Sequence, residues 1–298
     1  MTNTSKVALI IGASRGLGKA TAEALAREGW KVAIAAKSMD EANPKLPQQF
    51  RTTLRDVAWE IKTIGGSVFA IEADIIAHCS PGKPLGNMRD QIDNVFTQTK
   101  EHFGQVDAVV YCPGALITRP TWMLKPEELW LMTRINLIAP GLMMEAAVRH
   151  MPEGGGIVFI APRLHLEAVP GAGAYLATKS AQVTFAEELN KLQKRLIAGA
   201  IWSEHILYTA ATEAFVTEVK RHPVVTADAV ATWLTLSPEQ IRSHTVDWSD
   251  EELLLTYGGL THEDLSKYDV VSGSNPPPLS GEMVRNGVAV AAPYFIRR

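Results

Sequence analysis

The chain has 298 residues, 46% hydrophobic and 20% charged, with a net charge of −3. That is enough for one large α/β domain, and it excludes a reader of nucleic acid or an anionic membrane surface that works by bulk charge. Cys79 and Cys112 are the only cysteines, too few for a disulfide framework or a zinc site. With no apolar run long enough to span a bilayer and no signal-peptide core after Met1, these features predict a cytoplasmic protein without a metal centre.

Val7 to Ile11 is an unbroken apolar run, which predicts a strand buried on both faces, as in a parallel sheet. Gly12-Ala13-Ser14-Arg15-Gly16-Leu17-Gly18 breaks it, and Leu17, Ala20, Ala24 and Leu25 then recur at helical spacing up to Gly29. A strand, a glycine turn and a helix aim unpaired N–H groups and the positive end of a helix dipole at one point, which suits a pyrophosphate. The spacing Gly-x-x-x-Gly-x-Gly differs from the commoner Gly-x-Gly-x-x-Gly dinucleotide pattern. Three glycines could equally relieve turn strain, so the flanking strand and helix carry the nucleotide reading.

Lys31 to Ala36 is the second predicted strand. It ends in Lys37 with no carboxylate beside it, and Arg15 lies in the glycine turn. Two cations and no acid favour a ribose 2′-phosphate over a 2′-hydroxyl, and so NADP over NAD. A proline-rich connector at 43–47 precedes a helix expected from about Phe50 to Ile64, stopped by Gly65-Gly66. Ser67 to Glu72 is the third strand, and Asp74 beyond it could hold an adenine amino group or cap a turn. A loop at 78–87 and a helix from about Met88 to Phe103 lead to a strand at Val106 to Tyr111. Met123 to Arg149 reads as a broken helix. Pro140 lies inside it and has no N–H to offer the Asn136 carbonyl, which predicts a kink and a carbonyl left free for water. Further strands are expected at Ile157 to Ala161, Ile197 to Trp202 and about Ser243 to Trp248. The helix Tyr175 to Leu192 lies between the first two, and an irregular arm with Asn275-Pro276-Pro277-Pro278 follows the last. Alternating strands and helices predict right-handed crossovers and a doubly wound parallel sheet of about seven strands flanked by helices. Residues 1–250 would form the dinucleotide-binding domain and 251–298 an extension packed on it.

Tyr175 and Lys179 are four apart and share a helix face, where an ammonium would favour the phenolate. Together with the glycine turn, Asn136 and the strand entering at Ile157, this pair resembles the short-chain dehydrogenase/reductases across nearly the whole chain. Ala35-Ala36-Lys37, Pro44-Lys45-Leu46, Ala200-Ile201-Trp202 before Thr209-Ala210-Ala211, and Leu265-Ser266-Lys267-Tyr268 resemble the hydroxysteroid dehydrogenase-like protein 2 subgroup, without the sterol-carrier domain of some members. The resemblance implies a single Rossmann-type domain, NADP(H) as cofactor, a small-molecule substrate, and a homodimer or homotetramer packed through the helices of Asn136 and Tyr175. It also implies roles. Tyr175 would be the general acid, Lys179 would hold the nicotinamide ribose, and the Asn136 carbonyl would hold a water linking that lysine to solvent. Gly12, Ser14, Arg15, Gly16, Leu17, Gly18, Lys37, Asp74 and Gly114 would bind the rest of the dinucleotide.

The departures concern the substrate side. The family's catalytic serine lies thirteen residues before its tyrosine, and Pro162 stands there, after Ala161. Its Asn-Asn-Ala-Gly becomes Tyr111-Cys112-Pro113-Gly114, and its Pro-Gly after the sixth strand becomes Ser203-Glu204. Losing one such donor costs about a hundred- to a thousandfold in rate, which an enzyme survives. His165 or Ser203 could replace it, or the substrate could be an iminium or activated alkene that needs no donor. Arg134, Pro162, Arg163, His165, Glu167 and Trp202 are the candidates for the substrate side, although charges at a loop rim are commonly just solvated. The reading is therefore an NADP-dependent oxidoreductase with Tyr175 as proton donor. The alternatives are a redox-neutral cyclase or isomerase on this scaffold, such as a cycloaddition catalyst of secondary metabolism, and a catalytically silent NADP-binding protein.

Overall fold

A computed structural model describes residues 5–76, 86–162, 171–212 and 220–270. In chain order the strands are β1 (Val7–Ile11), β2 (Lys31–Ala36), β3 (Val68–Glu72), β4 (Ala108–Tyr111), β5 (Gly156–Ile160), β6 (Ile197–Trp202), β7 (Ile206–Leu207), β8 (Lys220–Arg221), β9 (Asp247–Ser249) and β10 (Asp269–Val270). The helices are α1 (Gly16–Arg27), α2 (Leu54–Thr63), α3 (Gly86–Phe103), α4 (Pro126–Thr133), α5 (Ala139–His150), α6 (Gly173–Leu192), α7 (Val224–Trp233), α8 (Pro238–Arg242), α9 (Asp250–Thr256) and α10 (His262–Ser266).

Seven strands form one sheet in the order β3-β2-β1-β4-β5-β6-β9, and every pairing in it is parallel. The continuous apolar runs follow from burial on both faces. Ala8 and Ile10 of β1 enter the core on the side of α1, α2 and α7, while Leu9 and Ile11 enter the one on the side of α3, α5 and α6. The strand order reverses between β1 and β4, where Ile11 stands beside Tyr111. Crossovers leave this point in opposite directions, which opens a crevice outside the carboxyl ends of the strands.

Three expectations change. The segment from Phe50 is a 3₁₀ turn, Gln48–Phe50, followed by α2. Thr53 caps α2 reciprocally with Asp56 and so sets its start. The predicted kink around Asn136 is a π-helical turn, Arg134–Ile138, joining α4 to α5, a wider turn of the kind often found at functional sites. The tail is more regular than its composition suggested. β9 is short and adds to β6, α9 packs on β9 and α8 on β6, and β7, β8 and β10 form a second small sheet. The segment with Asn275-Pro276-Pro277-Pro278 and most of the 78–87 loop lie outside the described residues.

Candidate active site

A cavity of about 600 Å³ occupies the crevice. The glycine turn forms its floor. The Gly12 backbone sits at φ +84°, a left-handed conformation, and its N–H donates to the Ala35 carbonyl at 2.7 Å. At Gly18 a Cβ would lie 2.2 Å from the Gly12 carbonyl oxygen, so only glycine lets α1 start this close to the turn. Thr52 ties the turn from outside by donating to the Ser14 carbonyl at 2.6 Å. No side chain caps α1, and its first turn carries no acid, so its free N–H groups and dipole are available to an anion.

Gly12, Ser14, Arg15, Gly16, Leu17, Lys37, Asp74, Gly114, Pro162, Tyr175 and Lys179 all line this one cavity. Gly18 and Asn136 do not line it. Arg134 and Trp202 also fall outside its lining. Arg163, His165 and Glu167 lie outside the described residues. Asp74 does cap a turn, accepting from the Ile76 N–H at 3.2 Å. Burial lowers the pKa of the Arg15 guanidinium, because a desolvated cation is disfavoured until an anion meets it.

Two features were absent from the sequence reading. Residues 209–212 line the cavity against the glycine turn, where a Cβ on Gly16 would meet the Thr209 side chain at 3.7 Å. Next to that strap, Tyr208 packs against Phe50 with ring centroids 5.2 Å apart. The segments carrying these residues have no periodicity that could have flagged them.

Lys179 is 3% exposed, and its Nζ donates to the carbonyls of Ile160 at 2.5 Å and Pro113 at 3.3 Å and to Gln182 Oε1 at 3.3 Å. Gly114 leaves room for it, since a Cβ there would lie 3.3 Å from Lys179 Cε. Burial brings the ammonium down to about 8. Tyr175 packs in the cluster that holds Ala115, Met132 and Ala174, and burial pushes its phenol up to about 12. In this arrangement the lysine bonds carbonyls, and desolvation governs the phenol.

The Asn136 carbonyl is a correction. It is not left free, because Gln182 Nε2 donates to it at 2.9 Å. The signal for Gln182 was its place one turn beyond Lys179 on the same helix.

On the substrate side, Ala161 and Pro162 line the wall without a hydroxyl. The Ser203-Glu204-His205 segment is held by α9. The Glu204 N–H donates to Asp250 Oδ1 at 3.0 Å, and His205 Nδ1 lies 2.9 Å from Glu251 Oε1. Asp250 also accepts from Thr226, yet burial still raises its carboxyl to about 6.

Among the described residues, no group of three or more His, Cys, Asp or Glu is placed to hold a metal, and no helix is long and apolar enough to cross a membrane. Hydroxysteroid dehydrogenase-like protein 2 of Xenopus tropicalis is 29% identical over 292 residues, a match covering 94% of this chain and 64% of that protein. The chain thus spans just under two thirds of that relative's length. A solved structure from Xanthomonas campestris, assigned as a dehydrogenase, is 29% identical with a TM-score of 0.74, covering 91% of this chain and 95% of that one. The alcohol dehydrogenase of the archaeon Thermococcus sibiricus, complexed with 5-hydroxy-NADP, shares the fold at 24% identity and a TM-score of 0.65, covering 82% and 95%. The profile described as short chain dehydrogenase matches residues 6–198. That span runs from the strand before the glycine turn, past the Tyr175 and Lys179 helix, into β6, and the chain belongs to the short chain dehydrogenase family.

Proposed function

We propose that the protein is an NADP(H)-dependent oxidoreductase that reduces a small, partly apolar metabolite, with Tyr175 as proton donor and no catalytic serine. The observation that carries this reading is the convergence of the glycine turn, Tyr175, Lys179 and Pro162 on one cavity.

The residues present fit the cofactor. The uncapped start of α1 and the glycines before it suit a pyrophosphate, while Arg15 and Lys37 both line the cavity and suit a 2′-phosphate. The Thermococcus structure, which carries 5-hydroxy-NADP on the same fold, supports that choice. When bound, NADPH supplies a hydride to the substrate carbon. Tyr175 supplies the proton, to a carbonyl oxygen, to an imine nitrogen or to the enolate left by an alkene. A phenol kept protonated by burial suits the donor role. Lys179, one turn further along α6, provides the positive charge that offsets the developing phenolate.

Ala161 and Pro162 cannot stabilise an oxyanion, so a simple ketone loses about a hundred- to a thousandfold in rate. An imine nitrogen is more basic than a ketone oxygen and takes the Tyr175 proton as hydride arrives, so an imine, bound neutral or as the iminium, or an activated alkene is the favoured substrate class. The test is NADPH binding and oxidation with a panel of ketones, enones and cyclic imines, for wild type and Tyr175→Phe. The expected result is faster turnover of an imine or enone than of any ketone, falling roughly a hundredfold or more in Tyr175→Phe. Ketones turning over fastest would overturn the substrate class. Tight NADPH binding with no oxidation, alongside redox-neutral cyclisation, would overturn the oxidoreductase.

A further inference from the structure

Pro140 has no N–H to return to the carbonyl four residues back, and that carbonyl belongs to Asn136, a residue with no exposed surface. The Gln182 side chain, also fully buried, reaches it from α6. Its Nε2 donates to the Asn136 oxygen at 2.9 Å, and its Oε1 accepts from Lys179 Nζ at 3.3 Å. The orientation of this amide is dictated by its partners. A carbonyl can only accept and an ammonium can only donate, so a flipped amide would set oxygen against oxygen and N–H against N–H. The π turn therefore fixes which end of Gln182 faces the lysine.

We propose that Gln182 is a positioning residue for Lys179, a strut between the Asn136 carbonyl and the ammonium that holds the side chain in place and favours its charged form. The proposal rests on the reading of Lys179 as part of the active site. Its three acceptors are carbonyl oxygens, two from the backbone and one from this amide. Gln182 is the one that substitution can remove. The titratable groups facing Lys179 are few. The Cys112 thiol beyond β4 is pushed up to about 12 by burial and stays neutral, Tyr175 lies one turn back on the same helix, and no carboxylate among the described residues contributes. The strut also fills the space behind the lysine with a buried amide.

The test follows the titration of Lys179 by NMR in cofactor-free protein labelled at the lysine ε-carbon, with the signal assigned by its loss in Lys179→Met. In Gln182→Leu, which keeps the bulk and removes both polar ends, the Lys179 titration should move down by about one pH unit. Gln182→Glu keeps the shape and sets a carboxyl against the ammonium, so the titration should move up by a similar amount. Val183→Ala, next door on α6, should lose stability and leave the Lys179 titration unchanged. If Gln182→Leu does not fold, Gln182→Glu decides alone. An unchanged Lys179 titration in either folded variant, or a shift of equal size in Val183→Ala, would overturn the proposal. Because the measurement uses no cofactor or substrate, it stands apart from the NADPH oxidation that tests the proposed function.

Discussion

Asn136 and Ala115 are joined by two hydrogen bonds, the Ala115 N–H donating to Asn136 Oδ1 at 2.9 Å and Asn136 Nδ2 donating to the Ala115 carbonyl at 3.0 Å. The side-chain amide completes a peptide-like pair with the loop after β4, and its Nδ2 also donates to Thr178 Oγ1 on α6 at 3.0 Å. One buried side chain thus pins together the loop, the π turn and the helix that carries Tyr175. Asn136→Leu would leave the Ala115 N–H and carbonyl buried without partners, at about 1–3 kcal/mol each. The expected loss is roughly 3 kcal/mol of stability by urea denaturation, and a loss under about 0.5 kcal/mol would show that the loop finds other partners.

Pro162 bears on chemistry more than on folding. It lines the cavity beside Ala161, at the position where the resemblance expects a hydroxyl. Pro162→Ser should raise ketone reduction by at least tenfold, short of the hundred- to thousandfold that a fully placed oxyanion donor gives. Turnover of cyclic imines should change little. A rise of equal size for both substrate classes would point to backbone freedom rather than to a new donor.

How much of this was legible in the sequence depends on the range over which each feature is decided. β1 and β2 matched their apolar runs because burial on both faces writes a continuous signal into five or six adjacent residues. Tyr175 and Lys179 were legible because one helix face sets their spacing. The strap at 209–212 was not, since β7, β8 and β10 have two residues each and carry no periodicity. The fate of the Asn136 carbonyl was hidden for another reason. Pro140 revealed that a donor was missing, but the donor that replaces it lies 46 residues away on α6. The bonding of Lys179 was hidden by the same distance, because its partners at Pro113 and Ile160 are set by how β4 and β5 end.

Arg15 and Lys37 give the cofactor preference a direct test. Both line the cavity at the ends of β1 and β2, and Lys37 is exposed while Arg15 is partly buried. The double change Arg15→Gln and Lys37→Gln should weaken NADPH binding by about a hundredfold, the worth of two charge-assisted bonds to a phosphate. NADH binding should move by less than about threefold, with Kd measured by nicotinamide fluorescence for both. Equal losses for the two cofactors would remove the 2′-phosphate from the assignment.

His222 predicts an acid sensitivity of known sign. It precedes α7 and accepts from the Val224 N–H through Nδ1 at 3.3 Å, which needs that nitrogen unprotonated. Burial, and then the charge of Lys19, hold its pKa at about 4 against an ordinary 6.5. Between those values the unfolded chain binds more protons than the folded one, so stability contributed by the neutral ring is full above about 6.5 and is lost as pH falls towards 4. Asp250 works the other way. Its carboxyl is raised to about 6 from 3.8, so the folded state binds more protons in that window and gains stability as pH falls through it. Only a difference between variants separates the two. His222→Asn keeps an acceptor for Val224 and cannot be protonated, so wild type minus variant should fall by roughly 2 kcal/mol between pH 7 and pH 4.5, below the full-shift value because the ring is only partly buried. Urea denaturation at both pH values measures it. A difference that does not change with pH would place His222 outside the acid response and leave the carboxylates to account for it.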